Sequence, residues 1–299
     1  MTFGYGPATQ PDGWSEAVLA NQESDDCLIP MGITSENVAA DYGITRAQQD
    51  AFAANSFKKA AAAAKAGGFR DEIAPLKVKW VDPKSEQVKD ITVSTDDGVR
   101  DGVTAESLSK LKPAFKKEGT THAGNASQIS DGAAAVLLAR RSTAKRLGLP
   151  IVGKFVAAAV AGVPPRIMGI GPAVAIPKVL KQAGLKAEDV EFFEINEAFA
   201  SQAVYCIEKL GLPYEKVNLH GGAIAIGHPL GMSEFLLCLL TAEGLVEHFF
   251  PLSLHSWCAP DRHWLEHCKA DRKAHLCDEH VHRFGHGHGC CIRERALSK

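Results

Sequence analysis

His228 lies in GHPLG (227–231), where Pro229 restricts it to an extended conformation and Gly227 and Gly231 flank it closely. An imidazole fixed at that angle, in a loop that also carries Gly221 and Gly222, suits activation of a nucleophile or stabilisation of developing charge. A satisfied structural histidine is the bland alternative. Asn196 opens NEAF (196–199) at the expected end of a strand. There an amide can cap the following helix. Alternatively it can face the edge where α/β folds place their sites and hold a water or an oxyanion. A third stretch, AGNASQISDGAAA (123–135), combines small residues with a helix start. Such a segment either admits a narrow polar ligand arm or packs tightly against its neighbours.

The elements that must position these residues are legible in part. A turn (MGIT) and a short helix over 35–41 precede a stronger helix over 46–66. Thr45 and Gln48 form a T-x-x-Q capping box at its start, and Gly67-Gly68 stop it. Residues 73–80 and 87–93 read as strands, 94–118 as mostly irregular with a short helix at 105–111, and the opening to about Pro30 as loop. GAAAVLLARRSTAKRLG (132–148) reads as a helix, with Asp131 at its positive end and Lys145 and Arg146 at its negative end. Next come a strand over 151–160 and a helix from Pro172 through 174–183, which Pro177 should kink or delay. A strand over 190–195, a helix over 197–210 and a Gly-interrupted strand or loop over 219–226 follow. This order favours an α/β layered fold with a largely buried sheet.

Together the motifs are specific. Residues 1–231 resemble the thiolases, most closely the peroxisomal type of 3-ketoacyl-CoA thiolase. The resemblance is carried by DCLIPMGITSENVA, KLKPAF, AGNASQISDGAAAVLLARR, GVPPRIMGIGPAVAIPKVL, FEINEAFASQA and NLHGGAIAIGHPLG. It implies a five-layered αβαβα core with a loop domain. It also implies thiolytic cleavage: a 3-ketoacyl-CoA and CoA give acetyl-CoA and a shortened acyl-CoA. CoA is then a substrate, and no cofactor or metal is implied. His228 would activate the nucleophilic cysteine and help form an oxyanion hole, and Asn196 would hold a water that completes it. Ser127, Phe115, Met31, Met168 and Ala198 would contact the pantetheine arm and the acyl end. Partners by resemblance are acyl-CoA, CoA and further copies of the chain, as a homodimer or homotetramer, in the peroxisome. On this map residues 1–119 are the loop domain, 120–148 the last piece of the N-terminal core domain, and 149–231 a truncated C-terminal core domain. The family's nucleophilic cysteine and its second cysteine, in a C-x-G loop, have no counterpart in the matching segments. Cys27 (SDDCLIP) and Cys206 (AVYCIEKL) stand outside both motifs. The chain is therefore expected to be inactive alone.

Composition sets the remaining bounds. A net charge of -2 and 45% hydrophobic residues over 299 positions describe a globular chain without a bias toward nucleic acid or membrane. The opening MTFGYGPATQPDGW has the pattern of neither a signal nor a transit peptide, and the final LSK is not the peroxisomal S-K-L, which leaves the cytoplasm open as a location. Averages conceal a break at Gly231. Six of the eight cysteines and nine of the twelve histidines follow it, including His263, His267, Cys268, Cys277, His280 and His282. Soft ligands make zinc one reading of residues 232–299, and pairing with intact thiolase subunits would be another binding role. The spacings fit no regular finger, and Cys/His/Trp/Arg clusters arise when a reading frame shifts. The tail is expected to be non-homologous and disordered.

Overall fold

The computed structural model describes residues 16–82, 84–230, 274–279 and 288–294. The part read as an opening loop contains two short helices, α1 (Glu16–Leu19) and α2 (Gln22–Asp26), the second capped by the Asn21 side chain. Helix α3 spans Met31–Tyr42, so the MGIT segment is its first turn and not a separate element. Helix α4 (Arg46–Ala66) begins at the capping box: Thr45 Oγ1 accepts from Gln48 N at 3.3 Å, and Gln48 Oε1 accepts from Thr45 N at 2.8 Å. Gly67, in the left-handed conformation at φ 75, ends it. Thr45→Ala should cost about 1 kcal/mol, measurable as a shift in urea midpoint with unchanged slope.

Strands β1 (Leu76–Val81) and β2 (Val88–Val93) form an exposed antiparallel hairpin with Leu76 opposite Val93. Helix α5 (Ala105–Ser109) follows. The helix expected over 132–148 is confined to α6 (Arg141–Leu147). Residues 131–138 instead alternate between exposed and half-buried, the period of an extended chain. An apolar run such as AAAVLLA satisfies either period, so its local pattern does not select the helix.

Strand β3 (Lys154–Ala161), helix α7 (Gly171–Ala183), strand β4 (Val190–Glu194) and helix α8 (Ala200–Leu210) build the second half. Pro177 lies inside α7 without delaying its start. The helix expected from Glu197 begins at Ala200 instead, with Phe199 as its extended N-cap, so Asn196 is not a cap. Residues 219–226 are not a strand: a turn leads into the short helix α9 (Ala223–Ile226). Strands β5 (Ala274–Glu279) and β6 (His288–Glu294) complete a four-stranded sheet in the order β3-β6-β5-β4, with β4 and β5 parallel. These two lie in the stretch expected to be disordered. Their strand character comes from pairing with β3, with β4 and with each other, which no local sequence period reveals.

One apolar cluster joins the halves. Phe52, Phe57 and Ala60 of α4 pack with Val179 of α7, Phe193 of β4 and Ile207 of α8. Among the described residues no helix is long and apolar enough to cross a membrane.

Candidate active site

Three segments meet over this core. The first is a strap, residues 122–129. The second is the turn 196–199 between β4 and α8. The third is the loop 218–230, which includes α9.

The turn is set by Glu197, which is 1% exposed. Its Oε2 accepts from Ser56 Oγ of α4 at 2.6 Å and from Ile224 N of α9 at 3.2 Å, and its Oε1 accepts from Asn218 Nδ2 at 2.8 Å. Burial pushes this carboxyl up, while those three donors oppose the shift. Asn218 adopts a left-handed conformation (φ 49) that asparagine tolerates. Its side chain brackets the Ile195 backbone, accepting from Ile195 N and donating to Ile195 O, both at 2.7 Å. The amide thereby extends the pairing of β4 by one residue and fixes where Asn196 begins. Asn196 is buried at the strand end.

The strap binds the other two segments. Ser127 N donates to Ala198 O at 2.9 Å, and Ala126 bridges Phe199. Ala200 N, at the start of α8, donates to Asn125 O at 2.9 Å. These bonds occupy backbone groups of NEAF and explain why the helix starts late. On the third side, His228 N donates to Gln128 O at 2.7 Å, and Gln128 Nε2 donates to Ile224 O at 3.1 Å. Ser127, Ala198, Asn196 and His228 are therefore held on adjoining segments. Phe115 stands edge-on to Phe199 with ring centroids 6.2 Å apart, and its ring covers Gly32, next to Met31 at the head of α3. Met168 is buried in the turn Pro165–Ile170, whose Gly169 packs on Gln202 of α8. That turn places Met168 beside α8, the helix that follows NEAF.

Neither cysteine of this part belongs to the cluster's hydrogen-bonded segments. Cys206 is buried in α8 with Sγ toward Gly169 O at 3.6 Å, and Cys27 Sγ contacts Glu23 O at 3.2 Å. Burial and the neighbouring Asp26 and Glu23 push the Cys27 thiol up, away from the reactive thiolate. Among the described residues no cluster of metal-ligating side chains exists. The tail residues His263, His267, Cys268, His280 and His282 lie outside the described residues.

His228 is 5% exposed, and burial pushes its imidazole down to about 4. It is neutral at pH 7, able to accept a thiol proton, and an adjacent thiolate would raise its affinity for that proton. A consequence for stability follows from its ordinary value of 6.5. Between pH 6.5 and 4 the unfolded chain binds a proton that the folded chain refuses, so stability is full above 6.5 and falls as pH drops, by about 3 kcal/mol. Buried His122, also shifted down, adds to this acid limb. Buried carboxyls act oppositely: Asp96 at about 7 and Glu194 at about 8 weaken the fold as pH rises through those values. His228→Asn should remove most of the His228 share of the acid limb, read as a smaller difference between unfolding curves at pH 7 and pH 4.5.

Residues 6–142 match the thiolase N-terminal domain, and residues 149–261 match the thiolase C-terminal domain. The chain belongs to the thiolase family. The second match runs past the Gly231 boundary inferred from the sequence. The chain is 62% identical to rat peroxisomal 3-ketoacyl-CoA thiolase B over 221 residues, 74% of this chain and 52% of the relative. It is 60% identical to the peroxisomal 3-ketoacyl-CoA thiolase of Yarrowia lipolytica over 231 residues, 77% of this chain and 55% of the relative. The dimeric peroxisomal thiolase of Saccharomyces cerevisiae superposes with a TM-score of 0.77 at 44% identity, over 97% of this chain and 65% of that one. This thiolase thus spans about half the length of the curated relatives it matches, and its α/β thiolase fold is the one expected from its motifs.

Glu197 and Asn218 are the residues that sequence reasoning missed. An acidic residue after a strand looks like a first-turn helix acid, and nothing local marks its partners.

Proposed function

We propose that this chain forms the CoA-facing part of a peroxisomal-type 3-ketoacyl-CoA thiolase acting in fatty-acid β-oxidation. The reaction consumes a 3-ketoacyl-CoA and CoA and yields acetyl-CoA and an acyl-CoA shortened by two carbons. The observation that carries this reading is the strap bonded at once to Ala198 through Ser127 and to His228 through Gln128. It brings the small-residue strap and a buried neutral imidazole to one place. His228 takes the proton of a cysteine thiol, and the thiolate attacks the 3-keto carbon. As the Cα–Cβ bond breaks, the enolate of acetyl-CoA collects charge on its thioester oxygen, where His228 and a water on Asn196 hold it, and a proton delivered to its carbon by the family's second, acid/base cysteine completes acetyl-CoA. The acyl group stays on sulfur until CoA removes it. Ser127, Ala198, Phe115, Met31 and Met168 line the path of the pantetheine arm and acyl end. The relatives' names support a peroxisomal location, and the yeast neighbour's dimer supports assembly with a second copy.

Neither Cys27 nor Cys206 suits the nucleophile's place, and the six cysteines after Gly231 lie outside the family's cysteine motifs, so the chain alone is expected to turn over no substrate. Calorimetry with CoA and a thiolysis assay on the purified chain test this reading. Expected are saturable CoA binding and no acetyl-CoA. Absence of CoA binding would overturn the assignment. Acetyl-CoA formation would instead overturn the claim about the thiol.

A further inference from the structure

Behind the strap lies a buried polar cluster that the proposed chemistry does not use. Asp50 of α4 and His122 at the head of the strap have side chains 2% and 0% exposed. Asp50 Oδ1 accepts from His122 Nε2 at 2.7 Å and from Asn125 Nδ2 at 3.1 Å, and Oδ2 accepts from Arg46 Nε at 2.7 Å. Arg46 Nη2 also reaches Leu108 O at 2.8 Å. His122 Nδ1 accepts from Gly124 N at 3.0 Å, so its proton sits on Nε2, pointed at Asp50. The turn is closed a second time by His122 N donating to Asn125 Oδ1 at 2.8 Å. The strap is thus clamped at its head to α4 and at its tail to His228.

Two features separate this cluster from ordinary core satisfaction. Every bond from His122 and Asn125 runs either within residues 120–125 or to Asp50, apart from Asn125 O, which takes the Ala200 N–H beside NEAF. And only two residues separate Asn125 from Gln128, whose carbonyl holds His228 N. A shift at the head therefore has almost no slack in which to dissipate before it reaches both the Ser127 amide and His228.

We infer that Asp50 and His122 are positioning residues that set the Ser127 amide and the His228 backbone as one unit, so that the CoA arm and the imidazole are aligned together. This rests on the proposed thiolase reading for the identity of the ligand, but the coupling itself does not.

The test uses the full chain with CoA, comparing His122→Leu with His122→Gln. A glutamine side chain can donate to Asp50 and accept from Gly124 N–H; leucine fills the space and does neither. Two quantities are read: CoA affinity by calorimetry, and the His228 ring titration by NMR. His122→Leu should weaken CoA binding at least tenfold and move the His228 titration toward its ordinary value, while His122→Gln restores both to within about twofold. His122→Leu and His122→Gln giving the same values in both readouts would overturn the inference and leave the cluster a fold-stabilising one. If His122→Leu does not fold, His122→Asn takes its place. Its shorter amide spans one partner but not both, and an affinity and titration equal to those of His122→Gln would overturn the inference equally. A wild-type chain that fails to bind CoA would sink the ligand assignment alone, because the His228 titration still reports the coupling.

Discussion

Replacing Glu197 by alanine is expected to lower the stability of the chain by about 3–5 kcal/mol. The carboxylate is the common acceptor for the Ser56 hydroxyl, the Asn218 amide and the Ile224 N–H. Removing it leaves three buried donors without that acceptor, in a space water does not readily enter, and desolvated donors cost far more than the net value of the bonds they formed. The three donors belong to α4 and to the loop 218–230, including α9, so the loss spreads from the turn to that loop and to α4. Glu197→Gln keeps the volume and one acceptor oxygen but turns an amide donor toward a donor, and should cost about 1–2 kcal/mol. Urea unfolding of both variants checks the order. Equal costs would mean that lost packing, and not lost acceptance, dominates.

Gly221→Ala should be comparably severe, about 3 kcal/mol or more, with a fall in melting temperature of about 6–12 °C. Gly221 has φ 80, and a Cβ there would lie 2.6 Å from Ser56 O and 2.9 Å from Ala60 N. Both obstacles are backbone atoms of α4, which cannot rotate aside. The left-handed conformation and the clash therefore add. Gly43→Ala supplies the control: its φ is 70, but nothing lies within 4 Å of the added carbon, so only the conformational share, about 1 kcal/mol, should appear. Thermal unfolding of the two variants separates the terms. A similar loss in both would show that α4 yields to the methyl group.

Much of this arrangement was legible before any coordinates. The capping box at Thr45, the strand into Asn196 and the glycine-proline setting of His228 are local signals, written within a few residues of where they act. The misreadings are non-local. Glu197 finds Ser56 across 141 positions and Asn218 across 21, and neither serine nor asparagine announces such a partner. NEAF carries a good cap residue, yet α8 starts three residues later than that signal suggests, because the strap has claimed the backbone of Ala198 and Phe199. Residues 132–140 satisfy a helical and an extended period alike, so local pattern does not choose between them. Strands β5 and β6 pair with each other and with the edges of β3 and β4, long-range partners no local pattern names.

The strap falls in the stretch matched to the N-terminal domain, and NEAF and His228 fall in the stretch matched to the C-terminal domain. The bonds from Ser127 to Ala198, Ala200 to Asn125 and His228 to Gln128 are therefore all seams between halves, the first two closing one isolated bridge and the third belonging to another, with no ladder. In native-state amide exchange those three protons are expected to be released together when the strap lifts, while α4, α7 and α8, joined by the shared apolar cluster, stay protected. Opening of the strap is then one event, and a ligand lying along it is expected to slow the release of all three protons together.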